Sequence, residues 1–295
     1  MPRIVIRRRV TRIDLDGPVR HAEDSLAAEE PLEIRVGGRP LAVTMRTPGH
    51  DVELAAGFLV SEGVVGAAQD VAAARYCAGT DDAGANTYNV LDVTLGRGVP
   101  PPEPSLERNF FTTSSCGLCG KASIDSVRTR SRWTVADDDL VVPAELLATF
   151  PDRLREQQAV FDRTGGLHAA GLFDGRTGEL LVLREDVGRH NAVDKVIGWA
   201  LAHGRLPLRG TVLMVSGRSS FELTQKALMA GIPLLASVSA PSSLAAELAH
   251  GSGMTLVGFL RGTSMVAYAR PERVSAPAPS APLAHPEEPA PKVAV

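Results

Sequence analysis

From Pro143 onward this 295-residue chain repeats one pattern: a short apolar run, a break of small residues, then an amphipathic stretch. Residues 211–215 read as an apolar strand and 221–230 as a helix, followed by a strand at 233–238, a helix at 244–250 and a strand at 254–260. Upstream, strands at 167–173 and 180–184 flank Asp174-Gly175. In the helix over 192–201, Ala192, Val193, Val196, Ile197, Ala200 and Leu201 form one stripe that ends before Gly204. Strands apolar on both faces must be covered on both, so the pattern predicts an α/β fold with a mainly parallel sheet between helices.

The first hundred residues read differently. Residues 3–13 alternate apolar and basic side chains, and 32–36, the pair Gly37-Gly38 and 40–45 predict a β-hairpin. Thr47-Pro48-Gly49-His50-Asp51 ends that strand and opens a helix over 52–62, and 87–95 returns to strand. Pro100-Pro101-Pro102 marks a break, and a helical stretch over 146–160 is interrupted at Pro151. Four segments follow: a β-rich N-terminal subdomain (1–104), a cysteine-containing loop and connector (105–142), the α/β sheet domain (143–275) and an Ala/Pro-rich tail (276–295) of disordered composition.

The formal net charge of −3 argues against nucleic-acid binding, and no apolar run reaches the roughly 18 residues of a membrane span. Three cysteines are too few for a disulfide framework and fit a cytoplasmic protein with free thiols. Two of the three, Cys116 and Cys119, sit in Thr112-Thr113-Ser114-Ser115-Cys116-Gly117-Leu118-Cys119-Gly120-Lys121. Small neighbours and a nearby cation keep such a thiol accessible and lower its pKa. Zinc binding lacks a second ligand pair, a thioredoxin-like motif would stand earlier in a compact domain, and a chance CxxC remains open.

In a parallel sheet, ligands collect beyond the carboxyl ends of the strands. Three loops there are rich in hydroxyls, glycine or arginine: Ser216-Gly217-Arg218-Ser219-Ser220, Ser239-Ala240-Pro241-Ser242-Ser243 and Phe259-Leu260-Arg261-Gly262-Thr263-Ser264. They suit phosphate or pyrophosphate at a helix start, against the simpler reading of helix capping, with Ser219 and Glu222 as a capping box. Neither the Walker pattern nor GxGxxG is present. His168 after Gly165-Gly166, and the turn Arg184-Glu185-Asp186-Val187-Gly188-Arg189-His190-Asn191, offer acid/base groups, and the turn is expected to line a site.

Together with Met45-Arg46-Thr47-Pro48-Gly49, Gly57-Phe58-Leu59-Val60-Ser61-Glu62-Gly63, Thr164-Gly165-Gly166-Leu167-His168-Ala169-Ala170 and the run from Glu185 to Lys195, these motifs resemble the FdhD family, the formate dehydrogenase accessory sulfurtransferases. The resemblance runs from about Glu30 to about Ala269. It implies a cytidine-deaminase-like three-layer α/β/α domain and a homodimer, here without the zinc-deaminase signature, so no resident metal is expected. It further implies transfer of persulfide sulfur from a cysteine desulfurase to the molybdenum of bis-molybdopterin guanine dinucleotide, bound as substrate, for formate dehydrogenase. Cys116 matches the persulfide cysteine and Cys119 its partner thiol, while Phe259, Leu260, Arg261, Gly262, Thr263 and Ser264, with Gly217, Arg218 and Ser219, are the implied cofactor contacts. A cofactor chaperone without sulfur chemistry and a thiol:disulfide oxidoreductase are the competing readings.

Overall fold

The computed structural model describes residues 4–77, 79, 88–102 and 131–275. Strands β1 (Val5–Arg12) and β2 (Arg20–Ala27) form an antiparallel ribbon in register from Val5↔Ala27 to Arg12↔Arg20. Next, β3 (Glu30–Val36) and β4 (Arg39–Arg46) turn at Gly37 and Gly38, whose φ angles of 57° and 81° suit glycine and the twist of a tight hairpin. Helix α1 (Asp51–Ser61) crosses to β5 (Val71–Tyr76) and β6 (Val90–Leu95), giving a four-stranded sheet ordered β4-β3-β6-β5. Alternate residues Leu32, Ile34, Leu91 and Val93 are buried in one cluster with Leu54, Ala55 and Leu59 of α1.

After β7 (Val142–Pro143) come three short helices, α2 (Ala144–Ala148), α3 (Phe150–Glu156) and α4 (Ala159–Thr164). Pro151 interrupts the helical stretch where expected by starting α3, where a missing N–H costs nothing. Then follow β8 (His168–Asp174), β9 (Leu180–Asp186), α5 (Arg189–Ala202), β10 (Thr211–Val215), α6 (Phe221–Met229), β11 (Leu234–Ser237), α7 (Ser243–Ser252), β12 (Thr255–Arg261), β13 (Ser264–Ala269) and β14 (Val274–Ser275). Six of these strands make a sheet ordered β13-β12-β11-β10-β8-β9, and β14 pairs in parallel with β7.

Strand alternation divides the core between the two faces of this sheet. Leu213 and Val215 pack with Val193, Ile197 and Leu223 of α5 and α6, whereas Val212 and Met214 pack with Leu147, Phe150 and Leu154 of α2 and α3. Phe150 stacks on Phe173 with ring centroids 4.1 Å apart. The α/β class and the helix-sheet-helix layering agree with the sequence expectation. The mainly parallel sheet does not: β10-β11 and β11-β12 are parallel, but β8-β10, β8-β9 and β12-β13 are antiparallel. The turns joining β8 to β9 and β12 to β13 are too short for a crossover, and apolar periodicity carries no strand direction.

Helices α1 and α5 approach backbone to backbone. A Cβ added at Gly57 would lie 1.8 Å from the Asp194 carbonyl oxygen, and one at Gly198 would lie 1.8 Å from that of Glu53. Charged pairs surround the crossing. Ser61 donates to Asp194 at 2.7 Å, Lys226 pairs with Asp194 at 2.8 Å, and Arg184 pairs with Glu53 at 2.6 Å. Near the end of the described chain, buried Arg273 donates to the carbonyls of Val135, Ala136, Asp138 and Gly253.

Candidate functional site

Because β8 runs against β10, its beginning lies at the same sheet edge as the ends of β9, β10, β11 and β12. His168 pairs with Asp186 and Val215 with Ala170, Ser216 N donates to Ala169 O, and Phe259 N donates to Ser239 O. The edge therefore gathers Gly165 to His168, Asp186 to His190, Ser216 to Ser220, Ser239 to Ser242 and the β12-β13 turn. Ser219 forms an isolated parallel bridge with Pro241, so the first and second of the three loops expected from sequence touch.

Several local expectations change. Phe259, Leu260 and Arg261 belong to β12 and Ser264 opens β13, which leaves Gly262-Thr263 as the turn instead of a six-residue loop. Leu260 is fully buried, whereas Arg261, Gly262, Thr263 and Ser264 are exposed and the Arg261 guanidinium lies 5.6 Å from the centre of the Phe259 ring. Ser220, not Ser219, caps α6, accepting from Leu223 N, because Ser219 is drawn into the bridge. Ser219 is fully buried with no hydrogen-bond partner for its Oγ among the described residues, while Arg218 is exposed beside it. Gly217 packs against His168, whose Nδ1 would be 3.4 Å from an added Cβ.

Most charges of the Arg184 to Asn191 turn point inward. Glu185 accepts from Val160 N and Phe161 N and so caps α4. Asp186 pairs with Lys195 at 2.6 Å, accepts from Asn191 Nδ2 and holds Thr47 N, with both charged groups buried. Burial pushes the Asp186 carboxyl up despite the opposing pull of Lys195. His190 pairs at the edge with Glu222, 2.7 Å away. Burial works against ionisation of Glu222, but the His190 contact prevails and lowers its pKa.

Below this edge lies a cavity of about 560 Å3 lined by Leu154, Arg155, Gln158, Phe161, His168 and Ser216 among others. Sequence reasoning did not find Arg155, Gln158 or Phe161, nor the pairing of His190 with Glu222 across 32 positions (222 minus 190). Cys116, Cys119 and the tail from Ala276 lie outside the described residues. Cys77 is a free, partly exposed thiol. Among the described residues no group of three or more His, Cys, Asp or Glu could hold a metal ion, and no helix is long and apolar enough to cross a membrane.

Comparison with known proteins gives a consistent relation. A family model described as the FdhD/NarQ family matches residues 27–275. The protein named sulfur carrier protein FdhD in Streptomyces avermitilis is 63% identical over 276 residues, covering 93% of this chain and 97% of that protein. Its namesake in Mycobacterium tuberculosis is 58% identical over 271 residues, covering 91% and 98%. A solved structure from Desulfotalea psychrophila, described as a candidate formate dehydrogenase accessory protein, superposes with a TM-score of 0.70 at 25% identity, covering 92% of this chain and all of that one.

Proposed function

We propose that this chain, which belongs to the FdhD/NarQ family, is a sulfur carrier that serves the maturation of formate dehydrogenase. It takes sulfur from a cysteine desulfurase onto Cys116 and delivers it to the molybdenum of bis-molybdopterin guanine dinucleotide, bound as substrate. It acts in the cytoplasm as a homodimer. The observation that carries the reading is the match of 93% of this chain to a relative named sulfur carrier, in a chain that holds two of its three cysteines as Cys116-Gly117-Leu118-Cys119.

In loading, the Cys116 thiolate attacks the terminal sulfur of the desulfurase persulfide. That S–S bond breaks, the desulfurase cysteine leaves as thiolate, and Cys116 carries the persulfide. In delivery, the Cys119 thiolate attacks Cys116 Sγ and the terminal sulfur departs with the bonding pair as hydrosulfide to the metal. A Cys116–Cys119 disulfide remains, which an external thiol reductant returns to the dithiol. The hydroxyl- and arginine-bearing edge supports this reading as a cradle for the diphosphate of the substrate, with Gly217, Arg218 and the exposed residues 261–264 as contacts, whereas Leu260 and Ser219 are buried away from it.

Mass spectrometry after incubation with a desulfurase and cysteine tests the loading step: one added sulfur on Cys116 is expected, and none in Cys116→Ala. Cells carrying only Cys116→Ala are expected to lack formate dehydrogenase activity. Normal activity there would overturn the persulfide route and leave a cofactor chaperone.

A further inference from the structure

Strands β1 and β2 form an arm that stands outside the core, since no residue from 5 to 26 belongs to either buried cluster. The arm is rooted at its base: Ala28 N donates to Ile4 O at 2.9 Å, α4 packs on β2, and a Cβ added at Gly166 would lie 3.8 Å from that of Ala27. The root is therefore two positions from His168, at the sheet edge described above. The family model starts at residue 27, where β2 ends, so almost the whole arm precedes the matched region.

Directly opposed residues of an antiparallel pair share a face. The register Arg8↔Asp24 and Arg12↔Arg20 puts Arg8, Arg12 and Arg20 on one face of the arm with a single carboxylate, Asp24. Arg12 and Arg20 face each other across the strands, a like-charge pair that weakens a ribbon unless an anion meets it. Asp24 lies 3.9 Å from Arg12, both side chains being exposed, and Arg8 and Arg20 make no ion pair among the described residues. Leu26 of the same face is 46% exposed, and at the tip Ile13, Leu15 and Val19 are 73%, 97% and 59% exposed. A single exposed apolar side chain is ordinary, but three so close together at the end of an arm make a patch.

Uncompensated guanidinium groups beside exposed aliphatic side chains suit a protein face that carries carboxylates around an apolar centre. They suit a bilayer less, because Asp14 and Asp16 would enter it with the tip. In the function proposed above, on which the partner's identity rests, loading passes sulfur between two proteins, whereas delivery is to a small molecule. Loading is the step that needs a protein contact. We infer that the β1-β2 arm docks the sulfur-donating protein, with Arg8, Arg12 and Arg20 meeting carboxylates of the donor and Ile13, Leu15 and Val19 its apolar patch.

The test loads Cys116 of the full chain from two sources, a cysteine desulfurase with cysteine and, separately, glutathione persulfide, with mass spectrometry as the readout. The parent is expected to accept sulfur from both, and the desulfurase route alone is expected to slow as salt is raised. The double variant Arg8→Glu with Arg20→Glu, and the single variant Leu15→Ser, are each expected to need about tenfold more desulfurase for half-maximal loading. Loading from glutathione persulfide, the melting temperature and the oligomeric state are expected to stay parental. Parental dependence on desulfurase in either variant overturns the docking role. Equal loss of both routes also overturns it, by placing the effect at Cys116, and so does a changed oligomeric state, which would make the arm an interface between copies. A parent loaded by glutathione persulfide alone overturns the arm's role and leaves the carrier, whereas a parent loaded from neither source overturns both.

Discussion

Gly57→Ala is expected to destabilise the protein although it places a better helix former inside α1. The added Cβ would meet the Asp194 carbonyl oxygen at 1.8 Å, the Asp194 carbonyl carbon at 2.6 Å and Gly198 N at 2.8 Å. All three are backbone atoms of α5 that no rotamer change can remove. Since real Cβ contacts essentially never fall under 3.0 Å, the two helices must part by roughly 1.2 Å. That shift strains the 2.7 Å bond from Ser61 to Asp194 and opens a shared core. Overpacking of this kind costs about 1 to 3 kcal/mol or more, with about 1 kcal/mol for a lost hydrogen bond, against about 1 kcal/mol gained in helix propensity. The net expectation is a loss of about 1 to 3 kcal/mol. Urea unfolding followed by circular dichroism reads it as a lower midpoint, with Gly251→Ala in α7 as control, because a Cβ there meets nothing within 4 Å. If Gly57→Ala matched or exceeded the parent while the control behaved alike, the close crossing would be refuted. Gly198→Ala is expected to behave as Gly57→Ala does, and the double variant to cost less than the sum, since one separation relieves both clashes.

Lys195→Met is expected to cost about 3 to 5 kcal/mol in the same assay, because it leaves the Asp186 carboxylate buried without its cation; parental stability would show that the pair is dispensable. Burial alone would raise the Glu53 pKa, but Arg184 and His50 hold it down to about 2. Its contribution to stability is therefore present above the ordinary carboxylate range, near pH 4.3, and is lost as pH falls toward 2. Arg184→Met is expected to flatten the acid limb of a stability-against-pH curve, and an unchanged limb would rule this out. Arg218→Ala and Arg261→Ala are each expected to weaken guanosine diphosphate binding about tenfold to a hundredfold while sparing persulfide loading, as separate calorimetry and mass spectrometry would report. Parental affinity in both would remove the phosphate from this edge.

Where local pattern dictated local structure, the sequence was a sound guide. Gly37-Gly38 turned the hairpin as expected, and the helix stripe from Ala192 to Leu201 packs into the core. The ribbon strand Arg20–Ala27 escaped notice because RHAEDSLA has no alternation, its pairing being set across the ribbon by β1. Strand direction escaped for a similar reason, since a covered strand is apolar whichever way it runs. The turn from Arg184 to Asn191 was read as a site lining for its charge, yet Glu185 and Asp186 hold backbone groups that only the folded chain brings near. Arg155, Gln158 and Phe161 carried no signal at all, because the cavity they line forms between segments distant in sequence.

The buried guanidinium of Arg273 ties segment 135–138 to almost the last described residues, and β14 closes against β7 beside it. During synthesis this latch cannot form until Arg273 has left the ribosome. The stretch from Val135 to Asp138, directly downstream of the cysteine-bearing region, thus waits for a partner 135 to 138 positions further along. A nascent chain that has not yet reached Arg273 leaves the carbonyls of Val135, Ala136 and Asp138 without this donor.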